Sequence, residues 1–313
     1  MKKALKVIAI IVIVILILAV IAAVGFSVFI GSAVFDGMTN FIPRDETVKN
    51  QSEYIGEYEK FASENKVVEV KIPSTREDHE IPAIYVEKDG SKGVAVLVHG
   101  MGGTGKSLTY MMQNFLDLGY GVIAYDQRNS GENTADHSTF GVLESYDTLD
   151  VVAYARENLL SGGELILWGE SYGGATAAIA MGRDESGIDR LILECPVGRG
   201  IDMIESEMKD ISEQNGIPLS YMTSCGEIYM KFKLGISYAD MNPAEWLKST
   251  TKPVLISNSS IDDVTPAYIG DELYAAIPHD KKMLVTTDKY DHAEFPSEDP
   301  EGYKQMLEEF LAS

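Results

Sequence analysis

The pentapeptide GESYG, Gly169–Gly173, has the residue types of a nucleophile elbow, with a serine between glycines, directly after the apolar run ELILW and before a small-residue segment, GGATAA. A serine forced onto a sharp strand-to-helix turn takes strained backbone angles, and glycines two residues away on either side leave room for the crossing elements. Its hydroxyl is then held up at the C-terminal edge of a sheet. Such a serine needs a base, and the usual one is a neutral imidazole whose tautomer is fixed by a carboxylate. Of the five histidines, His292 in KYDHAEF follows the last predicted strand and lies C-terminal to every other candidate. His279 precedes that strand and is read as a helix-end cap, while His79 and His137 fall in polar loops, where exposure to solvent is expected. For the orienting acid, SNSSIDDVTP after the strand PVLI offers Asp262 and Asp263. Asp262 is favoured, because its distance from Pro266 leaves a tight acid-bearing turn before the next helix. Glu194, at the end of LILE, is a third candidate, and Asp291 beside His292 is expected only to tune its loop.

A second stretch, GMGGTGKS (Gly100–Ser107), competes for attention because it matches the phosphate-binding pattern G-x-x-x-x-G-K-[ST] at every position and follows the strand-like run VAVLV. In that reading the glycines let backbone N–H groups curl around phosphates, Lys106 reaches the terminal phosphates and Ser107 coordinates a magnesium ion. The acid closing GVIAYD, Asp126, would be cast as the metal-holding residue. The residue before the loop, however, is His99.

The elements that must position these residues form a repeat. VVEVKIP (Val67–Pro73) and IPAIYVEK (Ile81–Lys88) alternate and are rich in β-branched residues, which predicts two antiparallel strands at a sheet edge. Apolar strand, glycine-bearing turn and helix then follow one another through VAVLVHG, YGVIAYD, ELILWGESYGG and RLILECP, and resume at KPVLISNS and KKMLVTT. Strands alternating with helices imply a mostly parallel, twisted α/β sheet covered on both faces. The expected organisation is a cytoplasmic tail over residues 1–6, a transmembrane anchor over 7–30, and a juxtamembrane linker with one short helix over 31–66. A core over 67–196 and 253–313 follows, interrupted by a helical cap at 197–252. The cap segment carries methionines, Met203 through Met241, read either as buried packing or as a flexible pocket lining.

From about Val67 to the C-terminus the chain resembles the α/β-hydrolases. It is most similar to the serine aminopeptidase and monoacylglycerol-lipase-like branch that also holds many bacterial esterases, on HGMGG, YDQRNSG, TFGVLESYD, GESYGG, MNPAEWL, SIDDVTP and DHAEF. The order serine, acid, histidine on a parallel sheet is that of this superfamily rather than of the chymotrypsin or subtilisin types. The resemblance implies an α/β-hydrolase fold and a triad of Ser171, Asp262 and His292. It further implies an oxyanion hole made by the backbone N–H groups of Met101 and Tyr172, and structural roles for Arg128, Glu144 and Asp147. It also implies no cofactor and no metal. The HGMGG glycines then let a substrate carbonyl approach, whereas a phosphate-binding reading leaves GESYGG, Asp262 and His292 without roles. A small or acyl-chain carboxylic ester is the expected substrate, a short peptide the alternative, and a tethered non-catalytic interaction domain the non-enzyme alternative.

Composition bounds the partners. A formal net charge of −22, with no concentration of basic residues, argues against nucleic acid. The two cysteines, Cys195 and Cys225, have neither zinc nor redox spacing, and at most one bridge between them is expected. Lys2, Lys3 and Lys6 precede Val7–Val24, eighteen residues without a polar side chain, and no further charge comes before Asp36. That run is long enough to cross a bilayer core and longer than the apolar region of a signal peptide. The lysines place the N-terminus in the cytoplasm and the bulk of the chain outside. Ala19–Ala23 offer signal cleavage and secretion as the alternative.

Overall fold

An unbroken apolar run such as VAVLV needs cover on both faces, and the fold supplies it. The computed structural model describes residues 2–312. In chain order the elements are α1 (Lys2–Thr39), α2 (Arg44–Glu64), β1 (Val67–Pro73), β2 (Glu80–Val86), β3 (Gly93–Val98), α3 (Thr109–Leu118) and β4 (Gly121–Tyr125). There follow α4 (Glu144–Asn158), β5 (Glu164–Glu170), α5 (Ser171–Arg183), β6 (Arg190–Glu194), α6 (Gly200–Asn215) and α7 (Leu219–Leu234). The chain closes with α8 (Pro243–Leu247), β7 (Val254–Ser259), α9 (Tyr268–Ala276), β8 (Lys282–Thr287), α10 (Phe295–Glu298) and α11 (Pro300–Leu311).

The chain divides into two compact units. The larger, Asn40–Asp202 with Ala239–Ser313, contains the sheet. Among the described residues its strands run β1-β2-β4-β3-β5-β6-β7-β8. β1 pairs antiparallel with β2, from Val67 opposite Val86 to Pro73 opposite Glu80, and β2 is antiparallel to β4. From β4 to β8 every pairing is parallel. Alternate residues of β3 enter opposite cores, as the two-residue period of a strand requires. Val94, Val96 and Val98 pack with α4 and α5, while Ala95 and Leu97 pack with α3 and α11. The order reverses at β3, whose neighbours are β4 on one side and β5 on the other. A crevice opens at the carboxyl ends of strands at such a switch point. His99 and Ser171, each the residue just past its strand, stand there.

The smaller unit joins residues up to Thr39 with Met203–Tyr238. Here the structure differs from the sequence expectation. α1 does not stop near residue 30 but runs unbroken to Thr39, and its last turns pack along α7. Ser27 Oγ lies 2.7 Å from the Tyr221 hydroxyl, Phe26 stacks on Tyr221, and Phe35 meets Tyr229. A Cβ on Gly31 would lie 2.6 Å from the Cys225 carbonyl oxygen, so the two backbones approach closely because that position is glycine. The apolar and small residues GSAVF that follow Ile30 serve this packing, which is why they continue the helix instead of forming a linker. α2 is likewise a full 21-residue helix, with Asp45 and Glu46 in its first turn. The unit takes 203–238 from the expected cap; residues 239–252, including α8, belong to the sheet unit. Met208, Met222 and Met230 are buried, as packing residues. Both cysteines are free and buried.

The close crossing of β5 and α5 over β3 yields a prediction. An added Cβ at Gly173 would sit 2.2 Å from the Val98 carbonyl oxygen, whereas at Gly56, on the exposed face of α2, it would meet nothing within 4 Å. Gly173→Ala should therefore destabilise the full-length protein by about 1–3 kcal/mol or more. Gly56→Ala should stabilise it by about 0.5–1 kcal/mol. Thermal unfolding in detergent, followed by circular dichroism, should show a lowered midpoint for the first and a raised one for the second.

Candidate active site

Ser171 stands where strand β5 gives way to helix α5, with φ of 51°. Only glycine takes such an angle freely, so the turn stores about 1–3 kcal/mol of strain. The crossing imposes it: Gly169 lies against the Gly173 carbonyl, and Gly173 against β3. Two other non-glycine residues with positive φ stand at the same sheet edge, Cys195 after β6 and Ala293 after His292. The serine itself is partly exposed.

Loops after three strands bring the chemistry together. His292 Nε2 lies 2.9 Å from Ser171 Oγ, and its Nδ1 lies 2.7 Å from Asp262 Oδ2. The Asp262 side chain has no exposed surface and that of His292 is 21% exposed. Asp262 Oδ1 accepts the N–H groups of Val264 and Thr265, and the Thr265 hydroxyl is 2.8 Å from Oδ2. Burial alone would raise the Asp262 pKa, but the hydrogen bonds from His292 and Thr265 outweigh it and hold the carboxyl at about 2. It is a carboxylate at neutral pH, accepting from Nδ1–H, which leaves Nε2 with a lone pair toward the serine. Geometrically, the arrangement can move a proton from Ser171 Oγ to His292.

The other acids are placed elsewhere. Asp263 is exposed, and Asp291 accepts the backbone N–H of His292. Glu194 is buried at the end of β6 beside the Cys195 thiol; burial, against hydrogen bonds from neighbouring groups, raises its pKa to about 8. Thr265 was not singled out from the sequence, although D-x-x-T is the spacing at which an acid accepts N–H groups just downstream.

Around the serine, loops are tied by buried polar groups. His99 is kept neutral by burial, which lowers its pKa to about 4. Its Nε2 accepts the Gln127 N–H at 3.0 Å, so Nδ1 carries the proton and donates to the Gly100 carbonyl at 2.7 Å. Glu144 accepts from the Tyr172 hydroxyl, from Thr139 and from the Gly141 N–H, tying the TFG loop to the residue after the serine. Arg128 lies 2.6 Å from Glu77 and 3.7 Å from Asp147, and Asp147 also meets His79 at 2.9 Å. His79 is therefore a buried partner of a carboxylate and not the solvent-exposed loop residue expected from its polar neighbours. His279 makes no capping bond through either ring nitrogen.

The phosphate-loop pattern is spent on the protein itself. Thr104 and Ser107 form a reciprocal cap on the turn that opens α3, and Lys106 lies near Glu132 and Glu69. Asp126 accepts the N–H groups of Gly105 and Glu132 and is pushed by burial to about 6. Met101 is partly exposed in the loop between His99 and this turn; Tyr172 is buried in the first turn of α5. Tyr172 follows Ser171 directly, and the loop that carries Met101 passes close to the serine, since a Cβ at Gly100 would be 3.6 Å from Ser171 Cβ.

Sheet order, switch-point crevice and nucleophile elbow together define the class: the chain has the α/β-hydrolase fold. A family model described as the alpha/beta hydrolase fold matches residues 94–215. Over 283 residues, 89% of this chain and 91% of the other, it is 25% identical to an uncharacterized Bacillus subtilis protein, YqkD. The Pyrococcus furiosus esterase Pf2001 superposes with a TM-score of 0.64 at 19% identity, covering 81% of this chain and 92% of that one. A bromoperoxidase from Bacillus anthracis superposes with a TM-score of 0.57 at 17% identity, covering 79% of this chain and all of that one.

Glu194 gives a pH-dependent prediction. Its pKa is raised from 4.5 to about 8 in the folded protein, so the folded state holds a proton that the unfolded state releases above 4.5. Stability from this group is fully present below 4.5 and is lost as pH rises toward 8. Glu194→Gln, which cannot ionise, escapes that loss. The melting temperature of the variant minus that of wild type should therefore increase from pH 5 to pH 8, measured by differential scanning fluorimetry across the range.

Proposed function

We propose that this protein is a membrane-anchored serine hydrolase that cleaves a carboxylic ester. The observation that carries the reading is the continuous contact from Ser171 Oγ through His292 to a deeply buried, ionised Asp262, with the serine on a strained elbow. Ser171 attacks the acyl carbonyl while His292 Nε2 takes its proton, and Asp262 holds Nδ1–H and stabilises the imidazolium. The N–H groups of Met101 and Tyr172 bind the oxyanion. His292 returns the proton to the leaving alcohol, then activates a water that releases the acid from Ser171. An ester is favoured over a peptide because its alcohol leaves with less assistance than an amine. A structural neighbour that is an esterase agrees with this choice, and one that is a bromoperoxidase marks that fold alone does not set the substrate.

α1 is proposed as the anchor. It has the length and apolarity of a membrane-crossing helix, and its exposed face from Leu5 through Phe29 is almost wholly aliphatic. Lys2, Lys3 and Lys6 set the N-terminus in the cytoplasm.

Two experiments test these statements. A fluorophosphonate probe, which transfers its phosphonyl group to an activated serine with loss of fluoride, should label the full-length protein in detergent. Ser171→Ala should abolish labelling and lower ester hydrolysis by about 10⁴-fold or more, and Lys106→Ala should leave both intact; labelling lost in Lys106→Ala instead would refute the assignment. In membrane vesicles of known orientation, the protein should resist alkaline carbonate extraction and expose its C-terminal domain to protease only on the extracytoplasmic side.

A further inference from the structure

The side chain between Gly169 and Ser171 has no part in the triad. Glu170 is partly buried, and its carboxyl turns under the HGMGG loop. Oε1 accepts the Gly100 N–H at 3.2 Å, and Oε2 accepts the Tyr110 hydroxyl. On the other side of the same residue, the Gly100 carbonyl accepts His99 Nδ1–H at 2.7 Å and the Gly103 N–H at 3.2 Å. Glycine has the widest choice of backbone angles, so a glycine in a loop keeps one conformation only if its surroundings fix it. Gly100 is fixed at both ends, and Glu170 supplies the N–H end. The peptide between Gly100 and Met101 is planar and trans, so its carbonyl and N–H point in opposite directions. Holding the Gly100 carbonyl on His99 and Gly103 therefore aims the Met101 N–H the other way. The Gly100 N–H lies in the preceding peptide plane, so releasing it from Glu170 would free rotation between the two planes about Gly100 and leave the Met101 N–H held through the Gly100 carbonyl alone.

A carboxyl is an expensive choice for this place. Removal from water raises the pKa values of both Glu170 and Tyr110, and a negative charge one residue from the nucleophile opposes an oxyanion. An apolar side chain would pack there without that cost but could accept no N–H. The acceptor geometry is what an apolar residue could not replace.

We infer that Glu170, braced by Tyr110, is the positioning residue of the oxyanion loop: its carboxyl holds the Gly100 N–H and so sets the direction of the Met101 N–H. The inference rests on the serine-hydrolase reading above. Its competitor is an electrostatic role, in which an ionised Glu170 favours the imidazolium of His292.

The two are separated by Glu170→Ala, Glu170→Gln and Tyr110→Phe in the full-length protein, assayed with p-nitrophenyl butyrate and with phenylboronic acid as a tetrahedral oxyanion mimic. A loop displaced by about 1 Å costs on the order of 10²-fold in kcat. Glu170→Ala should show that loss in kcat with KM changed by less than about 3-fold, and phenylboronic acid should weaken by a similar factor to kcat. Glu170→Gln keeps an acceptor oxygen and should recover kcat to within about 5-fold of wild type, while Tyr110→Phe should cost about 3–10-fold. An alanine variant with unchanged kcat, a loss carried by KM, or a glutamine variant as impaired as alanine would overturn the inference. Failure of the wild-type protein to react with the fluorophosphonate or the ester would instead remove the hydrolase reading beneath it.

Discussion

Everything in the sheet unit depends on how closely the chain crosses itself at the end of β5. The first turn of α5 must pass over the end of β3 with no side chain between them, and glycines at 169 and 173 permit that approach. The crossing has two effects at once. It forces Ser171 into a left-handed conformation that lifts its hydroxyl clear of the sheet, and it brings the loop after β3 alongside the serine. Ser171 and the loop proposed to hold the oxyanion are thus positioned by one packing contact. The cost of the strained serine is spread over a core that is buried on both faces.

The loops above that contact are irregular, and irregular backbone near a core must find partners for its N–H and carbonyl groups. Buried side chains supply them. Glu144 serves three donors of the TFG loop and also the Tyr172 hydroxyl, Asp126 serves Gly105 and Glu132, and His99 bridges Gln127 to Gly100. These groups take no part in any step of the proposed chemistry. Their work is to tie the loops to the strands that carry them.

Much of this was legible in the sequence, and the boundary of legibility has a physical basis. The strands of the parallel sheet show as apolar runs because both faces are covered, and the elbow shows because its geometry is local to five residues. The meeting of Ser171, Asp262 and His292 could be read from their order and from the strands that precede them. The bond from Glu170 to Gly100, and the joining of Glu77 and His79 to Arg128 and Asp147, could not, because no local pattern marks these partners, which lie tens of residues apart. Polarity suggested exposure for His79, whereas the fold turns it onto a carboxylate. The end of α1 was also hidden, since residues that serve a lipid and residues that serve another helix are drawn from the same apolar and small types.

That last ambiguity has a consequence for α1. The helix spans about 56 Å, nearly twice what a bilayer core of about 30 Å requires, and the surplus is committed to α7 from Phe26 onward. On the proposed reading one helix answers to two solvents in succession: up to about Val24 its exposed apolar side chains would face lipid, and beyond that they pack against α7. Cleavage at Ala19–Ala23 would remove the proposed anchor yet leave that half in place, whereas trimming at Asp36, the first acidic residue, would strip α7 of its partner. The N-terminal segment would thus be as much a part of the smaller folded unit as its proposed tether.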